Sequence, residues 1–154
     1  GTLVPASSVA FPGIPGVQSP GIISAIERDG KKVPFLVPQV DADGNETAGV
    51  RTAESLVPLA TYTGWNFRNT AIGGPRLLVS LLGSRIPFAK DAASAAGDPR
   101  RPAAGRYASK EDYLARAKQV VDALVSGRYL LAQDVEPVMQ RMQAQWDATF
   151  GAGR

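Results

Sequence analysis

The chain has 154 residues, of which 44% are hydrophobic, so it is long enough and apolar enough to form one domain with a core. It contains no cysteine and no histidine, which excludes disulfides, thiolate metal sites and the histidine of a Ser-His-Asp triad. The formal net charge is only +3, the basic residues are scattered, and no apolar run reaches the length of a membrane helix. The sequence therefore predicts neither a nucleic-acid interface nor a membrane span.

The first part of the chain, residues 1–30, is interrupted repeatedly by prolines and glycines. Proline fixes φ and removes a hydrogen-bond donor, and glycine favours turns, so this part predicts an extended arm instead of a helix. We expect the arm to dock through Phe11, Ile14 and Val17; the alternative is a disordered arm. An Asp-Gly pair at 29–30 is expected to form a turn. The chain begins Gly-Thr-Leu-Val without a methionine, so we expect a processed or truncated chain.

An edge strand is predicted at 32–40, because two prolines interrupt its strand-forming residues. The loop that follows at 41–46 has oxygen-bearing side chains at alternating positions: Asp41, Asp43 and Asn45. These side chains resemble calcium ligands, but Gly44 stands fourth instead of sixth, and no glutamate stands twelfth. An Asp-Gly hairpin turn is therefore favoured over a metal site, with a return strand at 47–51.

A buried strand is predicted over Ser55–Tyr62, with Pro58 limiting its pairing. The sequence Thr-Tyr-Thr-Gly-Trp-Asn at its end presents polar groups where a sheet would stop. The candidate substrate-pocket residues of this segment are Tyr62, Thr63, Trp65 and Asn66. The alternative for the two aromatic residues is a place in the core or an interface, with their polar atoms satisfied, and this alternative is favoured.

The next elements are a short helix and a connector. Proline at the first position, a leucine-rich face and Gly83 as a stop predict a helix over Pro75–Leu82. The connector at 89–106 is rich in alanine, glycine and proline, with helical potential at 90–96. It contains Asp98, Arg100 and Arg101, for which a solvated loop is favoured over an anion site.

The C-terminal part predicts two helices. Ser109 is the expected N-cap of the first, which keeps helical period to a stop at Gly127, and Asp134 is the expected cap of the second. Apolar residues fall on one face of each helix, so we expect an antiparallel helix pair. The predicted fold is therefore α+β: an extended arm, short irregular strands and one short helix in 1–105, then the helix pair in 106–154, all in one domain.

Motifs that carry chemistry are missing from the sequence. It has no G-x-S-x-G nucleophile elbow, no phosphate-binding G-x-x-x-x-G-K-[ST] and no dinucleotide-binding G-x-G-x-x-G. No cofactor, metal site or catalytic residue is predicted, and the segment by itself is not expected to be catalytic.

Six stretches together carry a resemblance to a known family: 1–17, 33–51, 57–68, 83–90, 97–102 and 106–135. Their order and spacing resemble the C-terminal region of an uncharacterised group of bacterial alpha/beta hydrolase domain proteins. The resemblance implies ester or related acyl hydrolysis by a full-length protein, whose serine and histidine lie in a larger N-terminal portion. This segment would then be an accessory part, with that N-terminal hydrolase portion or another chain covering its apolar arm. The alternative is a non-enzymatic binding or scaffold module.

Overall fold

The computed structural model describes residues 3–5, 8–17, 25–28, 30–34, 36–66, 68–73, 79 and 81–151. Its strands and helices are, in chain order, β1 (Leu3–Pro5), β2 (Ala25–Arg28), β3 (Lys31–Pro34), β4 (Leu36–Pro38), α1 (Ala53–Leu56), β5 (Ala60–Thr63), β6 (Ser84–Pro87), α2 (Lys110–Ser126) and α3 (Val135–Phe150). Short 3-10 turns occur at Thr70–Ile72, Ala92–Ser94 and Ala132–Asp134. This order of short strands followed by helices confirms the α+β class.

The described strands pair as three separate antiparallel ribbons, β1 with β4, β2 with β3 and β5 with β6. The predicted strand at 32–40 is therefore two strands, and each takes a different partner. Gly30 lies at the tip of the β2–β3 hairpin with φ of +69°, a conformation that glycine adopts without strain. The turn predicted at 29–30 is confirmed at its described residue.

Two predicted strands are wrong, the first only in part. The first two residues of the strand predicted over Ser55–Tyr62 belong to α1, residues 57–59 are in neither a helix nor a strand, and β5 begins only at Ala60. The physical reason is that Ala53 and Val57, four residues apart, are both buried in the core, whereas Leu56 is 43% exposed. That spacing suits a helical turn instead of strand alternation. The return strand predicted at 47–51 is wrong: these residues form no strand, and a single antiparallel bridge joins Val40 to Glu46, one residue before them.

The helix pair is confirmed. Ser109 caps α2, since its hydroxyl accepts a hydrogen bond from the Asp112 backbone N–H, and the helix ends at Gly127 as predicted. The start of α2 meets the end of α3 through an ion pair of 2.6 Å between Lys110 Nζ and Asp147 Oδ1, so the helices run antiparallel. The predicted cap at residue 134 is wrong, because its side chain makes no capping bond and its backbone is already in a 3-10 turn.

The core lies between the helix pair, α1 and the segments around β5 and β6. Each long helix buries one stripe: Tyr113, Ala117 and Val121 on α2, and Val138, Met142 and Trp146 on α3. The stripes meet buried residues from the first part of the chain: Ala53, Val57, Leu59, Phe88 and Ala103. Among the described helices, none is long and apolar enough to cross a membrane.

The arm docks onto this body. Ile14 is buried, Phe11 and Val17 are half-buried, and the Phe11 ring meets the Trp65 ring edge-on with centroids 5.5 Å apart. The predicted helix over 75–82 lies largely outside the described residues. Its last two residues are described and are not helical, because Leu81 has φ of +63°.

Candidate functional site

The turn at residues 41–45 fixes the edge of strand β5. The side chain of Asn45 is fully buried; its Nδ2 donates to the Ala60 carbonyl at 3.1 Å, and its Oδ1 accepts from the Tyr62 backbone N–H at 2.8 Å. This amide therefore takes the place of a neighbouring strand along β5. Gly44 allows the arm to approach the turn, since a Cβ at this position would lie 3.0 Å from both the Phe11 ring and the Thr61 methyl group.

A cleft of about 220 Å³ opens between the arm, strand β4 and the end of β5. Its apolar walls include Phe11, Val37 and Trp65, and Glu46 supplies a carboxylate. Tyr62 and Thr63 also line it, whereas Asn66 is outside the lining. Three of the four predicted site residues are therefore brought together in one cleft, which we call the aromatic cleft.

Tyr62 links the cleft to helix α3. Its hydroxyl donates a hydrogen bond to Gln145 Oε1 at 2.7 Å, and this bond fixes the ring between strand and helix. Burial raises the pKa of the Tyr62 hydroxyl, and the neighbouring Arg85 guanidinium opposes this effect. The phenol is therefore a neutral group at pH 7, able to pack and to hydrogen-bond.

Thr63 and Trp65 are held by the start of strand β6. The Thr63 hydroxyl donates to the Trp65 carbonyl at 2.6 Å and accepts from the Ser84 backbone N–H at 3.1 Å. The Ser84 hydroxyl donates to the same Trp65 carbonyl at 2.9 Å. Asn66 accepts through its backbone carbonyl from the Val79 N–H at 2.9 Å. These hydrogen bonds fix the backbone at residues 65 and 66, from which the Trp65 ring reaches Phe11.

A buried arginine cluster, formed by Arg100 and its partners, lies against β5 and β6. The Arg100 side chain is only 2% exposed; it pairs with Asp98 at 2.6 Å and also donates to the carbonyls of Ile86 and Pro87. Its Nη1 donates to the Thr61 hydroxyl at 2.8 Å. The prediction of a solvated loop is wrong here, because Arg100 and Asp98 are buried and cross-link three segments.

Phe88 joins this cluster to the hairpin turn. Its ring has Arg100 at 5.1 Å and Arg106 at 3.9 Å, and Arg106 makes two bonds of 2.6 Å to the Asp43 carboxylate. Sequence reasoning missed Phe88, Arg106 and the role of Asp43. Phe88 directly follows β6, and its two arginine partners lie far along the chain from it and from each other, so no local pattern in the sequence indicated these contacts.

The three oxygen-bearing side chains of the turn have structural partners. Asp41 Oδ1 accepts from the backbone N–H groups of residues 43 and 45, and Asp43 pairs with Arg106. The hairpin turn is confirmed by a bond from the Gly44 N–H to the Asp41 carbonyl at 2.9 Å. Within the described ranges, no group of three or more His, Cys, Asp or Glu side chains comes together for a metal ion.

The aromatic cleft has the composition of a binding site. Its walls are apolar, and its polar atoms at Thr63 are already bonded to backbone groups. Such a lining suits an apolar or aromatic group, which would be held through contacts with the aromatic rings. The described residues supply no histidine to activate a hydroxyl as a nucleophile.

Comparison with known proteins identifies the family of the chain. Searches of curated proteins and of solved structures each found no match. A family model described as alpha/beta hydrolase domain matches residues 15–140, which is most of the chain. The chain therefore belongs to the alpha/beta hydrolase domain family.

Proposed function

We propose that this chain is a C-terminal accessory part of an alpha/beta-hydrolase-like protein that hydrolyses esters or related acyl compounds. The observation that carries the proposal is the family match over residues 15–140 in a sequence without histidine. A Ser-His-Asp triad needs that histidine as its general base. The catalytic serine and histidine of the active protein therefore lie in an N-terminal hydrolase portion or in another chain.

The surface that such a portion would cover is the ribbon of β1 and β4. Leu3 is 59% exposed and Leu36 is 57% exposed, and the pairing of Leu3 with Pro38 and of Pro5 with Leu36 places them on one face. Val37 is on the other face of the ribbon and lines the aromatic cleft. An exposed apolar ribbon face next to a cleft is suited to docking against a second surface.

In the assembled protein, the aromatic cleft contributes to substrate binding through Tyr62, Thr63 and Trp65, with Asn66 positioning the segment. The edge-on contact between Phe11 and Trp65 and the hydrogen bonds to the Trp65 carbonyl support this role, because they hold the ring in one orientation. The regions 1–105 and 106–154 act as one domain, since the core contains buried residues of both.

The test is intact-mass analysis with fluorophosphonate labelling of material purified from the native source without denaturation. The proposal expects the label on a species larger than 16.2 kDa, or on a partner that co-purifies with a chain of that mass. A lone, unlabelled chain of 16.2 kDa would refute the hydrolase assignment and leave a binding or scaffold module.

The pocket role has a separate test in the labelled, active protein. Trp65→Ala should raise KM for an apolar ester while kcat changes little, because a binding contact shared by substrate and transition state is lost. Arg101→Ala, at an exposed connector residue, is the matched control and should leave both constants unchanged. Unchanged KM in Trp65→Ala, together with a loss of stability, would show that the ring is structural only.

A further inference from the structure

A larger apolar groove lies between residues 49–56 and helix α2, and its volume is about 570 Å³. Six of its lining residues carry the inference: Val50, Arg51, Leu56, Val120, Leu124 and Tyr129. None of the residues that line it also lines the aromatic cleft. We call it the α2 groove.

Large apolar side chains of this groove are left open to solvent. Val50 is 57% exposed, Leu56 is 43% exposed and Tyr129 is 67% exposed. The backbone of Tyr129 is fixed at the end of α2, because its N–H donates to the Leu124 carbonyl at 2.8 Å. Gly127 makes room for this ring, since a Cβ at this position would lie 2.9 Å from Tyr129 Cδ2. The backbone at this end of the groove is therefore fixed by the fold, and the ring packs close to Gly127.

Arg51 is the charged residue among those lining the α2 groove. Its described hydrogen bonds both use Nη2, to the Ser55 carbonyl at 2.8 Å and to Asp41 Oδ2 at a long 3.4 Å. Its Nε is buried and has no acceptor among the described residues. A guanidinium has five N–H donors and binds carboxylates through more than one N–H group. Because Nε is enclosed and the described bonds use Nη2, Nη1 is the donor of Arg51 that a ligand carboxylate would meet first.

We propose that the α2 groove binds a monomeric amphiphilic carboxylate, a fatty acid of medium chain length. The acyl chain lies along Val50, Leu56, Val120 and Leu124, and the carboxylate accepts hydrogen bonds from the Arg51 guanidinium. Charge complementarity favours a carboxylate, because the lining presents one cation and no anion, and the ion pair of that cation with Asp41 uses only Nη2 at a long 3.4 Å. The volume lies in the range of roughly 300–1,000 Å³ that suits small ligands. This inference does not depend on the hydrolase proposal, since the binding is a property of this chain.

The experiment is isothermal titration calorimetry of the 154-residue chain with decanoate below its micelle concentration. Decyltrimethylammonium has the same tail with the opposite charge and serves as the ligand control. Ala123→Phe places a ring in the groove from an exposed helix position, and Ala115→Phe places the same ring at another exposed position of α2 outside the lining. Circular dichroism establishes that every variant is folded.

Saturable binding of decanoate is expected, with about tenfold or more weaker binding of the cationic analogue. Ala123→Phe should weaken decanoate binding about tenfold or more, and Ala115→Phe should leave it unchanged. Arg51→Gln should lose the preference for decanoate over decyltrimethylammonium, because the charged donor is removed. Lengthening the acid from octanoate to decanoate should tighten binding about twofold to fourfold for each CH2 group.

Three outcomes would overturn the inference. The first is no binding of decanoate at concentrations below the micelle limit. The second is equal binding of decanoate and its cationic analogue, which would mean that Arg51 selects nothing. The third is an equal loss of decanoate affinity in Ala123→Phe and Ala115→Phe, which would place any binding outside the α2 groove. If Arg51→Gln does not fold, the inference is still tested by comparing Ala123→Phe with Ala115→Phe and decanoate with its cationic analogue.

Discussion

Replacing Arg100 with methionine tests whether the buried arginine cluster stabilises the fold. The Arg100 side chain is 2% exposed and that of Asp98 is 8% exposed, so neither charge is solvated by bulk water. Methionine keeps much of the side-chain volume but removes every bond that the guanidinium makes to Asp98, Ile86 and Pro87. The Asp98 carboxylate would keep the backbone N–H of residue 100 as its described donor.

The expected cost is about 3–5 kcal/mol in the free energy of unfolding, because the variant leaves a buried charge without its partner. For a chain of this length, this corresponds to a fall of about 6–20 °C in Tm. Hydrogen bonds from Arg100 hold the pKa of Asp98 below its ordinary value of 3.8. A carboxylate with a lowered pKa contributes stability that is present above pH 3.8 and is lost as pH falls through its folded-state pKa. The difference in the free energy of unfolding between wild type and variant should therefore be largest at pH 7 and smaller below about pH 4.

The assay is equilibrium urea unfolding followed by circular dichroism at pH 7 and at pH 3. Arg101→Met, at the exposed neighbouring position, is the control and should change stability by less than about 0.5 kcal/mol. The double variant Arg100→Met with Asp98→Ala should be more stable than Arg100→Met alone, since the orphaned carboxylate is removed. A cost below about 1 kcal/mol for Arg100→Met, or a difference in unfolding free energy from wild type that does not change with pH, would refute this reasoning.

Four further predictions concern single positions, each checked by the same unfolding assay unless stated. Asn45→Ala should cost about 2–4 kcal/mol, because two buried backbone groups of β5 lose their partners; a cost below 1 kcal/mol would contradict this. Gly83→Ala should cost about 1–3 kcal/mol, because the new Cβ would lie 2.2 Å from the Thr63 carbonyl oxygen, and an unchanged stability would contradict it. Ser109→Ala should cost about 1 kcal/mol and Ser109→Asp almost nothing, since aspartate also caps helices; equal losses in both would show that the cap is unimportant. Burial raises the pKa of Tyr107 to about 12, so its phenol should remain protonated at pH 11 in ultraviolet difference spectra. The stability from this shift is present below pH 10 and lost as pH rises through 12, and Tyr107→Phe should abolish that part of the alkaline loss.

The helix pair could be predicted from sequence because its determinants are local. Ser109 and Gly127 mark the ends of α2, and residues four apart bury one stripe of each helix. The strand predicted over Ser55–Tyr62 failed in its first half, because a short apolar run does not distinguish a strand from a buried helical turn. Burial of Ala53 and Val57 against the long helices decides that choice, and this contact is made only in the tertiary fold.

The aromatic cleft was predictable in part, because several of its residues are neighbours in sequence. Tyr62, Thr63 and Trp65 are close in sequence, so a strand end was enough to place them together. Phe11 was expected to anchor the arm, but its partner Trp65 lies in a distant segment and could not be named from sequence.

The connector shows most clearly why composition misleads. Its glycines, prolines and charges are typical of a solvated loop, yet Arg100 lies at the centre of the contacts between β5, β6 and the connector. Arg106 extends the same set of contacts to the turn through Asp43, and both guanidinium groups lie close to the Phe88 ring. That turn also contacts β5, through the buried side-chain amide of Asn45. The geometry of the aromatic cleft therefore depends on arginines of the connector that do not line it, and a change at Arg100 should disturb the cleft as well as the core.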